Sequence, residues 1–306
     1  MSTIVKRQHY VWRNYLRAWA SNEKIWTLIK DQDKIIKTDL MNVAQERYFY
    51  KLEDITDFEI RFLKKHIDNS HETLRGLQSD FLNAFIIFTD LNRRLKDNHS
   101  REVEKQLRDI EINSMEKAHG LMENNGEKLI ACRSFDDIMF LKDVDLKHET
   151  VMFLCFQYLR TKKMRESVKA RMLSNDQFSP DKVWKVMSFL MATNISMTVS
   201  LNPKLRFLFI DNSSEVKFLT TDQPAINIVG DILDEEGNVK GLEFYYPLSP
   251  SHALILDFKN NGNEQFQNML FNADMVNWFN KKLLDNSDNY VFADNNEQLE
   301  LIKDVS

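Results

Sequence analysis

His9 stands four residues before Arg13 and eight before Arg17. Residues 8–20 read as a short helix, with Val11, Tyr15 and Ala18 at helical spacing and Trp12, Leu16 and Trp19 on an adjoining stripe. On such a helix His9, Arg13 and Arg17 would share one face. A histidine beside two guanidiniums suits a phosphate: arginine holds the oxygens and imidazole transfers a proton near neutrality. The plainer reading has His9 bonded to a neighbouring backbone and the arginines paired with carboxylates.

A second group is Gln157, Arg160 and Thr161, which fall within one helical turn, with Arg165 four residues beyond Thr161. An apolar run precedes them, so they mark the exit of a buried helix. Arginines there either meet an anionic ligand or pair with an inside carboxylate. A third group is Thr220-Thr221-Asp222-Gln223-Pro224. Asp222, at a strand end, is placed to orient a base or hold a divalent metal, and equally to bond its own turn backbone. Tyr246-Pro247-Leu248-Ser249-Pro250 is a similar strand exit, read as structural. Asp143, Asp145, His148 and Glu149 resemble a metal cluster, but an N-cap at Asp145 with Glu149 in the first turn explains them more simply. His66 and His71 are five apart, which does not put two ligands on one helical face.

The elements that must position these groups divide the chain. Residues 24–38 alternate apolar and polar on both sides of Asp31-Gln32-Asp33 and predict a β-hairpin. From about Asp54 to Asn124 the pattern is helical, with a stop and restart at Asp97-Asn98-His99-Ser100 and an end at Glu123-Asn124-Asn125-Gly126. Further helices are expected from about Asp145 into the basic stretch, and from Ser179-Pro180 onward. After Pro203 the period becomes two, and 205–211, 216–221, 225–229, 242–248 and 252–258 are strand candidates, with turns at 212–214, 222–224 and 236–238. A helix over about 264–284 and a strand Tyr290-Val291-Phe292-Ala293 follow. The fold class is α+β: a helix-rich first two thirds, an antiparallel β meander in the last third and an N-terminal β-hairpin. One unit spans 1–306, with sub-regions 1–50 (N-terminal helix and hairpin), 51–203 (helical) and 204–306 (β-rich, with a C-terminal helix).

Composition narrows the classes. Only 7 glycines and 5 prolines among 306 residues exclude collagen-like and linker-rich chains and favour long helices. Cys132 and Cys155 are too few for a disulfide framework or a thiolate zinc site. No apolar run follows the basic start, and the longest uncharged stretch, Val186–Pro203, carries seven Ser, Thr and Asn residues, so neither a secretory signal nor a membrane span is expected and the chain reads as cytoplasmic. P-loop, G-x-G-x-x-G, G-x-S-x-G and H-E-x-x-H patterns are absent, which argues against NTPase, Rossmann, α/β-hydrolase and zincin chemistry. A net charge of −5 excludes a globally basic nucleic-acid binder. Basic clusters in residues 1–30 and 160–171 could still converge on an anionic ligand or nucleic acid, or be solvated helix faces.

Taken in order, the segments His9-Tyr10-Val11-Trp12, Tyr15-Leu16-Arg17 with Trp19, Val43-Ala44 through Tyr48-Phe49-Tyr50, Gln157-x-x-Arg160-Thr161 with Arg165, Phe218 to Pro224, Tyr246 to Pro250, Asn280 and Tyr290 to Ala293 resemble the bacterial domain of unknown function 4238 family. The resemblance spans nearly the whole chain, with Trp12 where the family has proline and Thr221 where it has serine. It implies no established activity. It does imply that His9, Arg17, Arg160 and Asp222 are kept together by the fold, in an active site or in a structural polar network.

The expectation is therefore an enzyme acting on a phosphate-containing substrate, of nuclease or phosphodiesterase type. His9 and Asp222 would be catalytic, and Arg13, Arg17, Gln157, Arg160 and Arg165 would bind substrate, with a divalent metal as a candidate cofactor. The alternative is a non-catalytic binding or sensor module for an anionic ligand or protein partner.

Overall fold

The computed structural model describes residues 6–95, 101–172, 178–236, 239–259 and 264–303. The break expected at 97–100 and most of the turn expected at 236–238 lie outside them. The N-terminal segment departs from the single helix its spacing suggests. It begins as a strand, β1 (Arg7–His9), then forms one helical turn, α1 (Arg13–Leu16), and a 3-10 turn, Arg17–Trp19. Long-range pairing overrides the local period. The buried Gln8 side chain donates to the Ile112 carbonyl (2.6 Å) and accepts from Tyr50 N–H (2.7 Å), which holds residues 7–9 extended. Trp12 has φ −63°, the value a proline ring imposes, so the backbone path there suits either residue.

The hairpin forms as expected: β2 (Lys24–Ile29) and β3 (Lys34–Asp39) pair in full register around a turn closed by Asp33 at φ 46°. Next, β4 (Gln45–Arg47) returns to pair antiparallel with β1.

The helices follow. A capping box between Thr56 and Glu59 starts α2 (Asp57–Asp68), and the buried Glu59 also accepts from Ser179 N–H at 2.7 Å. Then come α3 (Glu72–Leu95), α4 (Arg101–Asn124) and the short α5 (Glu127–Ile130). The next, α6 (Val144–Leu159), is capped by Asp143, two residues earlier than the expected Asp145, through bonds from Asp145 N–H and Leu146 N–H. Thr161 caps α7 (Lys162–Lys169), and α8 (Pro180–Leu201) opens with proline at its first position. From Thr150 onward α6 is largely buried, and it packs against α8 in the interior.

The last third builds two sheets. Strands β5 (Arg206–Asn212), β6 (Thr220–Thr221), β7 (Ile226–Asn227), β8 (Phe244–Ser249) and β9 (His252–Asp257) fall where the alternation predicts, although only two residues of the 216–221 candidate are paired. The stretch expected as one helix from 264 splits into β10 (Phe266–Phe271), α9 (Ala273–Asn286) and a cap at Asn272, which accepts from Met275 N–H. β11 (Tyr290–Ala293) and α10 (Asn296–Lys303) end the described chain. One sheet has the order β10-β5-β9-β8-β7, with β10 parallel to β5 and the other pairs antiparallel. The other, β3-β2-β11-β6, inserts β11 between the N-terminal hairpin and Thr220–Thr221. The class is α+β. The main apolar cluster draws on all three parts of the chain: Tyr15 and Trp19, Leu154 and Val186, Phe209 and Tyr246.

Candidate functional site

Arg160 is the hub of the site. Its side chain, 3% exposed, sits at the C-cap of α6 and is bonded in three directions. Nε donates to Tyr50 Oη (2.9 Å), Nη1 to Glu123 Oε1 (2.6 Å) and Nη2 to the His9 carbonyl (2.7 Å). A guanidinium so enclosed keeps its charge only because a carboxylate and two oxygen acceptors replace water.

His9 is thereby brought to Arg160, but not on a helical face, and Arg17 is not bonded to Arg160. The link to His9 is through its main chain. A cavity of about 300 Å³ is lined by the His9, Arg13, Arg17, Glu116, Glu123, Trp12 and Asn14 side chains. Arg17, exposed, forms a two-pronged pair with Glu23 (2.7 and 3.2 Å) and also donates to Asn14, and Arg13 donates to the Met41 sulfur.

Two buried atoms distinguish this cavity. His9 Nε2 and Glu116 Oε2 have no hydrogen-bond partner among the described residues. Burial pushes Glu116 up to about 7, with Glu123 adding to the effect and Arg160 opposing it. Burial, with Arg13 and then Arg160 contributing, pushes His9 down to about 4 against bonding at the Leu40 and Met41 backbone. At neutral pH His9 is therefore an uncharged imidazole, while Glu116 exchanges its proton. His119, one turn beyond Glu116 on α4, is buried, lies against the Tyr50 ring with centroids 4.3 Å apart and planes tilted by 35°, and is held well below the usual histidine value by burial and then Arg160.

A second cavity, about 390 Å³, lies on the Tyr50 and His119 side of Arg160. Lys51, Arg160, Arg165, Lys169 and Lys185 line it with Trp184 and Phe49, against three acids, Glu46, Glu53 and Asp181. Each cation has a carboxylate: Lys185 meets Glu53 at 2.6 Å, Lys169 Asp181 at 2.9 Å, Lys51 Glu111 at 3.1 Å, and Arg165 meets Glu166 at 3.1 Å over the Phe49 ring. Tyr48, also on this wall, holds φ 59°, a left-handed conformation that costs a bulky residue free energy.

The remaining predicted residues lie elsewhere. Asp222 is buried with both oxygens occupied: Oδ1 accepts from Asp288 N–H (2.8 Å), and Oδ2 from Asn289 N–H (2.7 Å) and Tyr290 N–H (2.9 Å). It lines neither cavity and clamps the turn into β11. Its neighbours interlock two of the recognised segments: Thr161 Oγ1 donates to Gln223 Oε1, while Gln223 Nε2 donates to the Tyr158 and Ala225 carbonyls. Tyr15 Oη meets Thr220 Oγ1 at 2.7 Å, and Trp19 Nε1 donates to the Phe218 carbonyl at 2.8 Å. Gln157 is buried with neither end of its amide partnered among the described residues, and it lines neither cavity. His148 bonds Ser200, and no group of three or more His, Cys, Asp or Glu capable of holding a metal occurs among the described residues. No helix there is long and apolar enough to cross a membrane.

Sequence spacing missed Glu116, His119, Glu123 and Tyr50. The available signal was the i, i+3, i+7 placement of Glu116, His119 and Glu123 on one helix. Their meaning depends on Arg160, which is 37 residues beyond Glu123.

The fold and site define an α+β protein in which a buried arginine ties the N-terminal strand to the central helices. The chain belongs to the family described as protein of unknown function (DUF4238), whose sequence model matches residues 7–297. Searches of curated proteins and of solved structures returned no match.

Proposed function

We propose that this chain is a hydrolytic enzyme acting on a phosphate-bearing substrate, of nuclease or phosphodiesterase type, in the His9–Glu116 cavity. The observation that carries the reading is the pair of buried, unpartnered titratable atoms, His9 Nε2 and Glu116 Oε2, on residues of one cavity that also presents Arg13 and Arg17. Arg13 and Arg17 hold the non-bridging oxygens. Neutral His9 takes a proton from the attacking water. Protonated Glu116 gives one to the leaving oxygen as the P–O bond breaks. Arg160 touches no substrate in this scheme; it is a positioning residue that fixes the His9 main chain and Glu123. Asp222 has no role in the chemistry, because its oxygens are spent on backbone.

Incubation of purified protein with bis(p-nitrophenyl) phosphate, single-stranded RNA and single-stranded DNA, with magnesium, manganese or EDTA, tests this. The expected result is turnover that falls about a hundredfold in Glu116→Gln and in His9→Gln. No turnover by the wild type, or equal turnover by both variants, overturns it.

A second reading, a binding or sensor module, is favoured by the cavity beside Lys185. Five cations gather in its wall, each held in place by a carboxylate, with Trp184 and Phe49 for stacking and a strained Tyr48 beside them. A rise in melting temperature with nucleoside phosphates, lost in Lys169→Glu and unaccompanied by product, would support that reading over the first.

A further inference from the structure

A larger cavity, about 850 Å³, is bounded by residues of β2, β11, α9 and α10, and nothing in the proposed chemistry uses it. Its walls include Leu28, Leu219, Leu284, Val291 and Leu301. Leu301 is 69% exposed, which leaves α10 with an uncovered apolar edge at the opening. The size falls in the range of small-molecule sites, which combine apolar walls with a few placed polar groups.

Those polar groups have a sign and a direction. Lys30, Lys281 and Lys303 face Asp33 and Asp285 among the lining residues, three cations to two acids. Lys303 pairs with Asp33 at 3.1 Å, and Lys30 donates to Ser287 Oγ at 2.9 Å. Lys281, exposed, carries no ion pair or hydrogen bond among the described residues. Gln298 donates through Nε2 to the Lys217 carbonyl, and its Oε1 is buried without a partner among the described residues. Because that partner is a carbonyl, the amide cannot be flipped, so the free atom is an acceptor. Asn280, by contrast, is spent at both ends on Leu219 N–H and the Lys217 carbonyl.

We propose that this cavity binds a single-chain acyl amphiphile whose head carries an acid and a hydrogen-bond donor. The chain lies along Leu219, Leu284 and Leu301, the acid meets Lys281 at the rim, and the donor satisfies Gln298 Oε1. Charge complementarity selects an anionic head, and the unpaired acceptor selects an amide or hydroxyl next to it.

Isothermal titration calorimetry with N-acylglycines below their micellar concentrations tests the assignment on the full chain. N-dodecanoylglycine should bind more tightly than N-octanoylglycine, by about tenfold per two methylenes added. N-dodecanoylsarcosine, which lacks the N–H, and dodecanol, which lacks the charge, should each bind at least several-fold more weakly. Lys281→Glu, on an exposed position, should remove the preference for the acid over dodecanol, and Leu301→Asp should weaken every ligand. Affinity independent of chain length, or equal affinity for acid and alcohol, overturns the proposal. So does concentration-dependent dimerisation that Leu301→Asp abolishes without any ligand binding, which would make the groove a contact between copies.

Discussion

Arg160 Nη2 donates to the backbone carbonyl of His9 at 2.7 Å, so the guanidinium that closes α6 holds the N-terminal strand by its main chain. The same group neutralises Glu123 and bonds Tyr50. Removing it leaves a largely buried carboxylate unpaired, and leaves the Tyr50 hydroxyl and the His9 carbonyl only their mutual bond at 3.5 Å. Arg160→Ala should cost about 3–5 kcal/mol of stability. Arg160→Lys should recover only part of that, because one ammonium cannot reach three acceptors in a fixed fork. Urea denaturation midpoints check this; a loss below about 1 kcal/mol for the alanine variant would contradict the hub.

Stability should depend on pH in two opposed ways. Glu116 has a folded pKa of about 7 against 4.5, so between those values the unfolded chain gives up a proton that the folded chain keeps. Its contribution is whole below 4.5 and is lost as pH rises through 7. His9 has a folded pKa of about 4 against 6.5, so its contribution is whole above 6.5 and is lost as pH falls through 4. Relative to wild type, Glu116→Gln should gain stability at pH 8 and His9→Gln at pH 5. Denaturation midpoints measured from pH 5 to 8 that stay parallel for all three proteins would sink this assignment.

Asp222→Ala should loosen the turn into β11 by orphaning three backbone N–H groups, at a cost of about 1–3 kcal/mol or more. Amide exchange should accelerate most at Asp288, Asn289 and Tyr290. Exchange unchanged there would mean that the clamp is not what orders the turn.

Gly126 caps α5 where an added Cβ would fall 2.4 Å from the Phe153 ring. Its φ of −92° is open to any residue, so the demand for glycine comes from the ring rather than the backbone. Gly126→Ala should destabilise by about 1–3 kcal/mol through displacement of Phe153. Phe153→Leu combined with Gly126→Ala should cost less than the two single changes together, as a double-mutant cycle would show.

How much of this was legible in the sequence follows from the range of the interactions involved. The hairpin at 24–39 and the strands at 206–212, 244–249, 252–257 and 290–293 carry their period locally and fall where alternation puts them. His9 does not, because Gln8 trades hydrogen bonds with Tyr50 and Ile112, and no local period encodes a partner 104 residues away. The segment from 266 alternates, yet it merges into the amphipathic run that follows, and only the Asn272 cap separates strand from helix. Asp222 looked like chemistry because a carboxylate at a strand end is free until the loop at 288–290 closes on it. Nothing in the local sequence marks Glu116, since its raised pKa comes from burial, with Glu123 adding to it and Arg160 opposing.

The pH–rate profile of phosphodiester hydrolysis, wild type beside Glu116→Gln and His9→Gln, tests the central claim most directly. With neutral His9 as base and protonated Glu116 as acid, the rate should rise through about 4, fall through about 7, and lose its alkaline limb in Glu116→Gln and its acid limb in His9→Gln. A rate that climbs through pH 8, or limbs that neither substitution moves, would contradict it.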